Sequence, residues 1–399
     1  PRTLPGRNRV IRTRLAGVVA LGMALAMTAC AAADDTAEEP PHGYVAGAEE
    51  LPEAQVALAY AARDSRQLSL LDLATEQEKQ VGLAVGAQRL TEDGRFVYVG
   101  DGDRTLEIVD TGVWTVDHAD HVHYYRAPAR SVGTVTFDAP VASVTGSEAH
   151  TAVGTTDGRI RILDRRQLEK GTVAELTTID SGSSTALAVP YAEQLLVAVG
   201  DAGDRPATRI VAMGPDGQRR GSFEAPCTAP SGAVVLRGGV VIACEKTLIR
   251  VKAGKEELTA EVLDSPVPVA DGAFGYRPRS NEAAVAGRGG VWSVNASKVT
   301  LRHLPADGRE LVAAASPADN STVLALDTAG TLLSYDLETG RTIAEAPLKA
   351  TSLTLDIGRA YAADPGGRVI HEIDYHDKLR SARTLRASQQ PDLSVEVGR

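Results

Sequence analysis

One phrase recurs through this chain and limits what it can fold into. An apolar strand-length run is followed by a Gly/Asp turn, a second apolar run and a polar turn. The pairs of runs fall at residues 56–60 and 68–72, 96–100 and 106–110, 151–154 and 160–164, and 196–200 and 209–212. They continue at 240–244 and 248–251, 283–287 and 291–294, 323–327 and 332–336, and 360–364 and 369–374. The period is about 40 residues, with two clear strands in each unit and room for two more, which is the pattern of a β-propeller with four-stranded blades. Sandwiches and barrels also use many short strands, but they do not repeat one strand–turn–strand phrase eight times. No long helical periodicity interrupts it. The expectation is an all-β chain, a propeller of eight four-stranded blades over residues 54–399.

The segment before the repeats reads differently. Arg2, Arg7, Arg9, Arg12 and Arg14 precede an apolar run at residues 15–27. That run is short for a bilayer span and suits the core of a signal peptide. It ends in Leu25-Ala26-Met27-Thr28-Ala29-Cys30, where small residues before a cysteine resemble a bacterial lipobox. Residues 1–30 are therefore expected to be a signal peptide with a lipobox. Cys30 would be the lipidated residue, anchoring an exported protein to the outer face of the cell membrane. An ordinary cleaved signal with a chance cysteine is the alternative. Residues 31–53, rich in Ala, Asp, Glu and Pro, read as a flexible tether.

An exported chain meets oxidising conditions, and the two remaining cysteines, Cys227 and Cys244, are then expected to pair. The alternative is a pair of thiolate metal ligands, but neither has a Cys or His two to four residues away. The net charge of −10 argues against a nucleic-acid partner, since the phosphate backbone calls for a basic face.

Chemistry concentrates in residues 113–126, Val-Trp-Thr-Val-Asp-His-Ala-Asp-His-Val-His-Tyr-Tyr-Arg. This stretch holds three of the eight histidines, His118, His121 and His123, with Asp117 and Asp120 among them. It lies in the widest interval between repeats, as an insertion after the strand at 106–110, and loops held by a rigid scaffold often carry function. His121 and His123 are two apart, so they share a face in an extended segment, and His118 is reachable across a turn. Imidazoles plus a carboxylate suit Zn²⁺, and a second carboxylate can fix a ligand's tautomer. Without thiolate or thioether the set fits Zn²⁺, then Cu²⁺ or Ni²⁺, better than Cu⁺. The bland reading is a solvated polar loop. His150, opening a strand of the next unit, is a further candidate ligand, or an exposed loop histidine. Asp101, Asp103, Asp201 and Asp204 offer oxygens for calcium, but Asp-Gly turns are ordinary in propellers.

The same residues carry a resemblance. Residues 114–126, with Asp-His-x-Asp-His-x-His-Tyr-Tyr, resemble the AztD-type zinc metallochaperones. So do residues 41–44, 276–282, 287–292 and 361–384, and the Cys227 and Cys244 pair. The resemblance implies a β-propeller lipoprotein that binds zinc outside the cytoplasm. It would hand the ion to the solute-binding protein of a zinc ABC transporter, without catalysis. The chain departs from that pattern at residues 181–185 and 227–232. Ser183, Ser184 and Ser231 stand in stretches where further histidines would be expected. If those serines empty a shared site, the chain is instead a propeller interaction module with a degenerate metal loop. Enzyme readings find little support. Quinoprotein propellers use repeated tryptophan motifs, and only Trp114 and Trp292 are present. No Ser-His-Asp or paired-carboxylate arrangement emerges from spacing.

Overall fold

Each apolar pair of the repeat forms the buried middle of a four-stranded antiparallel sheet. In the second sheet Arg89–Glu92, Phe96–Gly100, Thr105–Asp110 and Arg130–Thr136 are hydrogen-bonded in that order. Phe96–Gly100 is buried along its whole length, whereas Arg130–Thr136 alternates towards solvent. A strand covered on both faces must be apolar throughout, and an outer strand covered on one face need only alternate. The structure is a computed structural model and describes residues 45–118, 121–255 and 257–399. Residues 1–30, expected to be a signal peptide with a lipobox, lie outside the described residues together with Cys30, as do His42, Asp120 and residues 31–44 of the expected tether.

The same plan runs along the chain. Four-stranded sets extend from Val141–Gly146 to Glu175–Asp180, from Ala188–Tyr191 to Arg219–Pro226 and from Gly232–Leu236 to Leu258–Asp264. They continue from Gly275–Tyr276 to Thr300–Leu304, from Leu311–Ser316 to Thr342–Pro347 and from Ser352–Leu355 to Arg380–Arg386. The Gly275 and Leu311 sets are joined by a short parallel pairing, Gly275↔Ala315 and Tyr276↔Ser316. The first sheet is completed from far away. Ala57–Ala61, Gln67–Asp72 and Glu78–Gly82 take their remaining strand from Leu393–Val397, with Leu58 opposite Glu396. Gly398 follows this strand at φ +87°, and a Cβ there would collide with the Gln55 carbonyl.

The apolar cores lie between sheets. Val97 and Val99 pack on Leu68 and Leu70, and Phe96 and Tyr98 on Val144 and Val153. The last of these clusters sets Tyr361 and Ile370 against Leu58 and Tyr60, so the final sheet packs on the first. With aromatics scarce, Val, Leu, Ile and Ala fill most of these gaps. The expected all-β, propeller-type architecture is what the sheets and their cores form. The only α-helix among the described residues is a single turn, Arg165–Glu169, and none is long and apolar enough to cross a membrane.

Cys227 and Cys244 form the expected disulfide. Cys227 follows Arg219–Pro226 and Cys244 follows Gly239–Ala243, so the bridge staples the fourth sheet to the fifth within their shared core. One expectation is corrected. Glu49–Leu51, placed in the flexible tether, is a β-strand, because the inserted segment offers it an edge to pair with.

Candidate metal site

The insertion is a hairpin. Val113–Asp117 and Val122–Arg126 pair antiparallel, from Val113 opposite Arg126 to Asp117 opposite Val122. The segment alternates as a strand should, and β-branched and aromatic residues fill it. At the neck, Ala127 N–H donates to the Gly112 carbonyl at 2.7 Å. Gly112 has φ +73°, and a side chain there would strike the Ala127 carbonyl. At the tip, His118 N–H donates to the His121 carbonyl at 3.0 Å, closing the turn. Glu49–Leu51 then adds a third strand on the Val122–Arg126 edge.

Pairing puts Trp114 opposite Tyr125 and Val116 opposite His123, so these four side chains share one face. A column of rings results. Arg95 is clamped to Asp110 by two hydrogen bonds of 3.1 and 2.8 Å, both side chains almost fully buried. Its guanidinium lies 3.7 Å above the Trp114 ring. Trp114 stacks on Tyr125 at 5.3 Å, and Tyr125 on His123 at 6.2 Å and 21°. Burial, and then the negative charge of Glu50, push the Tyr125 phenol above its usual range. The column ties the hairpin to the second sheet. Thr115 Oγ1 donates to the Gly398 carbonyl at 2.9 Å, and Asp117 pairs with Arg237 of the fifth sheet at 3.4 Å.

The three histidines meet at the hairpin end. Ring centroids are 4.8 Å apart for His118 and His121, 5.0 Å for His121 and His123, and 5.4 Å for His118 and His123. One nitrogen from each lies within 4.8 Å of the others. A tetrahedral ion with 2.0–2.1 Å bonds needs ligand nitrogens about 3.3 Å apart, a closure within reach of small side-chain rotations. The donor set therefore fits Zn²⁺. His118 and His123 are half-buried and His121 is exposed, which leaves an approach from solvent.

His123 Nδ1 lies 2.7 Å from Glu50 Oε1. With Nδ1–H donating to this carboxylate, Nε2 is the nitrogen presented to a metal. Glu50 was invisible as a site residue in the sequence. It sits among the acids of the segment read as tether, and only the Glu49-Glu50-Leu51 register beside the hairpin gives it a role.

The other candidates are placed elsewhere. The Asp117 carboxylate is turned to Arg237 and is not among the gathered ligand atoms. Asp120 lies outside the described residues. His150 opens His150–Thr155 opposite Asp164 and does not join the three histidines. Burial lowers its pKa, against the opposing pull of Asp164. Ser181 and Ser183 are buried turn residues whose hydroxyls lie 3.1 Å apart, with Ser183 Oγ donating to the Thr185 carbonyl at 2.9 Å. Ser184 N–H donates to the Arg205 carbonyl at 2.7 Å, and Ser231 is exposed. The Ser181 and Ser183 hydroxyls thus bond within their own turn.

Fold and site together define a class: a propeller-type all-β protein with a histidine triad on an inserted hairpin. Among solved structures the chain is similar to AztD of Citrobacter koseri, at TM-scores of 0.69 and 0.70 for two structures, one of them the apo form. Identity is 15%, and the match covers 86% of this chain and 98% of that one. It is also similar to the dihydro-heme d1 dehydrogenase NirN, at a TM-score of 0.56 and 15% identity, covering 86% of this chain and 75% of that one. At these identities the likeness is one of fold. No protein-family model and no curated protein sequence matches the chain.

Proposed function

We propose that this chain is an extracytoplasmic zinc-binding lipoprotein, held to the membrane by Cys30, that delivers zinc to the solute-binding protein of a zinc ABC transporter. We read each four-stranded set as one blade, which makes the scaffold an eight-bladed propeller. The observation that carries the zinc reading is the convergence of His118, His121 and His123. The sequence resemblance of residues 114–126 to AztD-type metallochaperones and the fold likeness to AztD support it.

Zinc here is cargo. Three imidazoles hold it and leave a fourth position open, as in sites that accept an incoming ligand. A histidine of the acceptor enters there, and the ion moves by stepwise ligand exchange, each new ligand bond forming as an old one is given up. Glu50 holds the His123 ring in one tautomer, the Trp114–Tyr125 column holds its strand, and exposed His121 is the ligand most readily given up.

The test is a zinc competition titration on the full chain and on His121→Ala/His123→Ala. The full chain is expected to bind one equivalent tightly, and the double variant to lose that affinity by orders of magnitude while keeping its fold. Retained affinity in the variant would move the site elsewhere. Binding no tighter than that of ordinary surface histidines would favour the propeller interaction module instead.

A further inference from the structure

The hairpin is gripped by a very short arm. Glu49–Leu51 pairs with it over only three positions, Glu49↔Arg126, Glu50↔Tyr125 and Leu51↔Tyr124. Both glutamates are exposed, and Leu51 is half-buried. Two side-chain contacts complete the grip: Glu49 to Arg126 at 3.2 Å and Glu50 to His123 at 2.7 Å. Exposed ion pairs contribute little, and fixing a strand costs backbone entropy, so docking of such an arm is finely balanced.

The two contacts differ in kind. Glu49 holds an arginine that has no part in the triad. Glu50 holds the ring nitrogen opposite the one that would ligate the ion. A cation on Nε2 withdraws electron density from the imidazole, makes Nδ1–H a stronger donor and tightens its charge-assisted bond to a carboxylate. Coupling of this kind is reciprocal: whatever the ion adds to docking of the arm, docking adds to retention of the ion.

We infer that Glu50 is the positioning residue of the triad and that Glu49–Leu51 is a metal-coupled arm, docked more firmly when the triad is loaded and releasing the ion more readily when it lifts. This rests on the zinc reading above. It adds that the segment joining the described fold to residues 1–44 senses whether cargo is present.

The experiment uses the full chain, with zinc alone as the probe. Zinc competition titrations and hydrogen–deuterium exchange of residues 49–51 are run on the unsubstituted protein, Glu50→Gln and Glu49→Gln. Glu50→Gln is expected to weaken zinc binding by about 10- to 100-fold, the usual effect of losing such a partner. Glu49→Gln, which loosens the same strand without touching the histidine, is expected to stay within about threefold of the parent, since an exposed ion pair is worth little. Zinc should slow exchange at residues 49–51 in the parent and in Glu49→Gln, but not in Glu50→Gln. Equal losses of affinity in the two variants would overturn the proposal by showing that the strand acts only as structure. Tight zinc binding that leaves exchange at 49–51 unchanged would overturn it too. If the parent itself fails to bind zinc, the histidine reading falls first and the arm with it.

Discussion

Replacing Arg95 with methionine tests how the histidine-bearing hairpin is rooted. The Arg95 and Asp110 side chains are 4% and 3% exposed and make two hydrogen bonds to each other. Removing one partner of a buried pair leaves the other charge uncompensated, at about 3–5 kcal/mol. Asp110 would keep the Gly112 N–H at 3.1 Å and a distant Arg130 at 3.9 Å, which offset only part of that. Loss of the guanidinium from the Trp114 face adds about 0.5–2 kcal/mol. Arg95→Met is therefore expected to lose about 4 kcal/mol, a large share of the roughly 5–15 kcal/mol that holds a protein folded. Arg95→Met/Asp110→Leu should recover most of this, because no buried charge is left over. Zinc affinity should follow a different pattern, falling by about tenfold in both variants, since both lose the contact under Trp114 and 1.4 kcal/mol is a factor of ten. Urea denaturation followed by tryptophan fluorescence gives the stabilities, and competition titration gives the affinities. A single variant as stable as the double, or a double variant with parental zinc affinity, would refute the reasoning.

Other outcomes follow from separate parts of the molecule. Cys227→Ser/Cys244→Ser opens a loop spanning 17 residues and should cost about 3 kcal/mol, read as a lower denaturation midpoint, with zinc affinity unchanged. Glu396 is 2% exposed, and both carboxylate oxygens lack a partner among the described residues. Burial first, with Asp356 and Glu92 adding to it against Arg399, pushes its pKa up to about 8. A carboxyl raised in the folded state contributes fully below its unfolded value of 4.5, and that contribution is lost as pH rises through about 8. Glu396→Gln should therefore gain stability relative to the parent between pH 5 and pH 9. Parallel urea midpoints check this, and a gap that does not widen with pH would count against it.

The sequence shows the middle of every sheet and little of its edges. Strands such as Phe96–Gly100 and Gly239–Ala243 are buried on both faces, so apolar runs mark them. Outer strands such as Arg219–Pro226 and Thr342–Pro347 meet solvent on one side and blend with turns. The triad was legible because His-x-His puts two rings on one face of a strand. Glu50 was not, since its role depends on pairing with a segment some 70 residues away. His303 lies in Thr300–Leu304, its ring against Trp292 and its Nε2 2.7 Å from the Gly289 carbonyl. His371 lies in Val369–Asp374 of the last sheet with its Nε2 buried. Both placements depend on neighbouring strands that local pattern cannot reveal.

Pairing of Leu393–Val397 with Ala57–Ala61 bears on the order of folding. Wherever folding takes place, the first sheet stays one strand short until Leu393–Val397 docks. Its Ala57–Ala61 edge stays an unsatisfied template throughout that interval, open to the wrong strand. Contacts this distant in sequence are also slow to form. Closure of the first sheet is thus a late step in folding, and one edge stays open until the two distant segments meet.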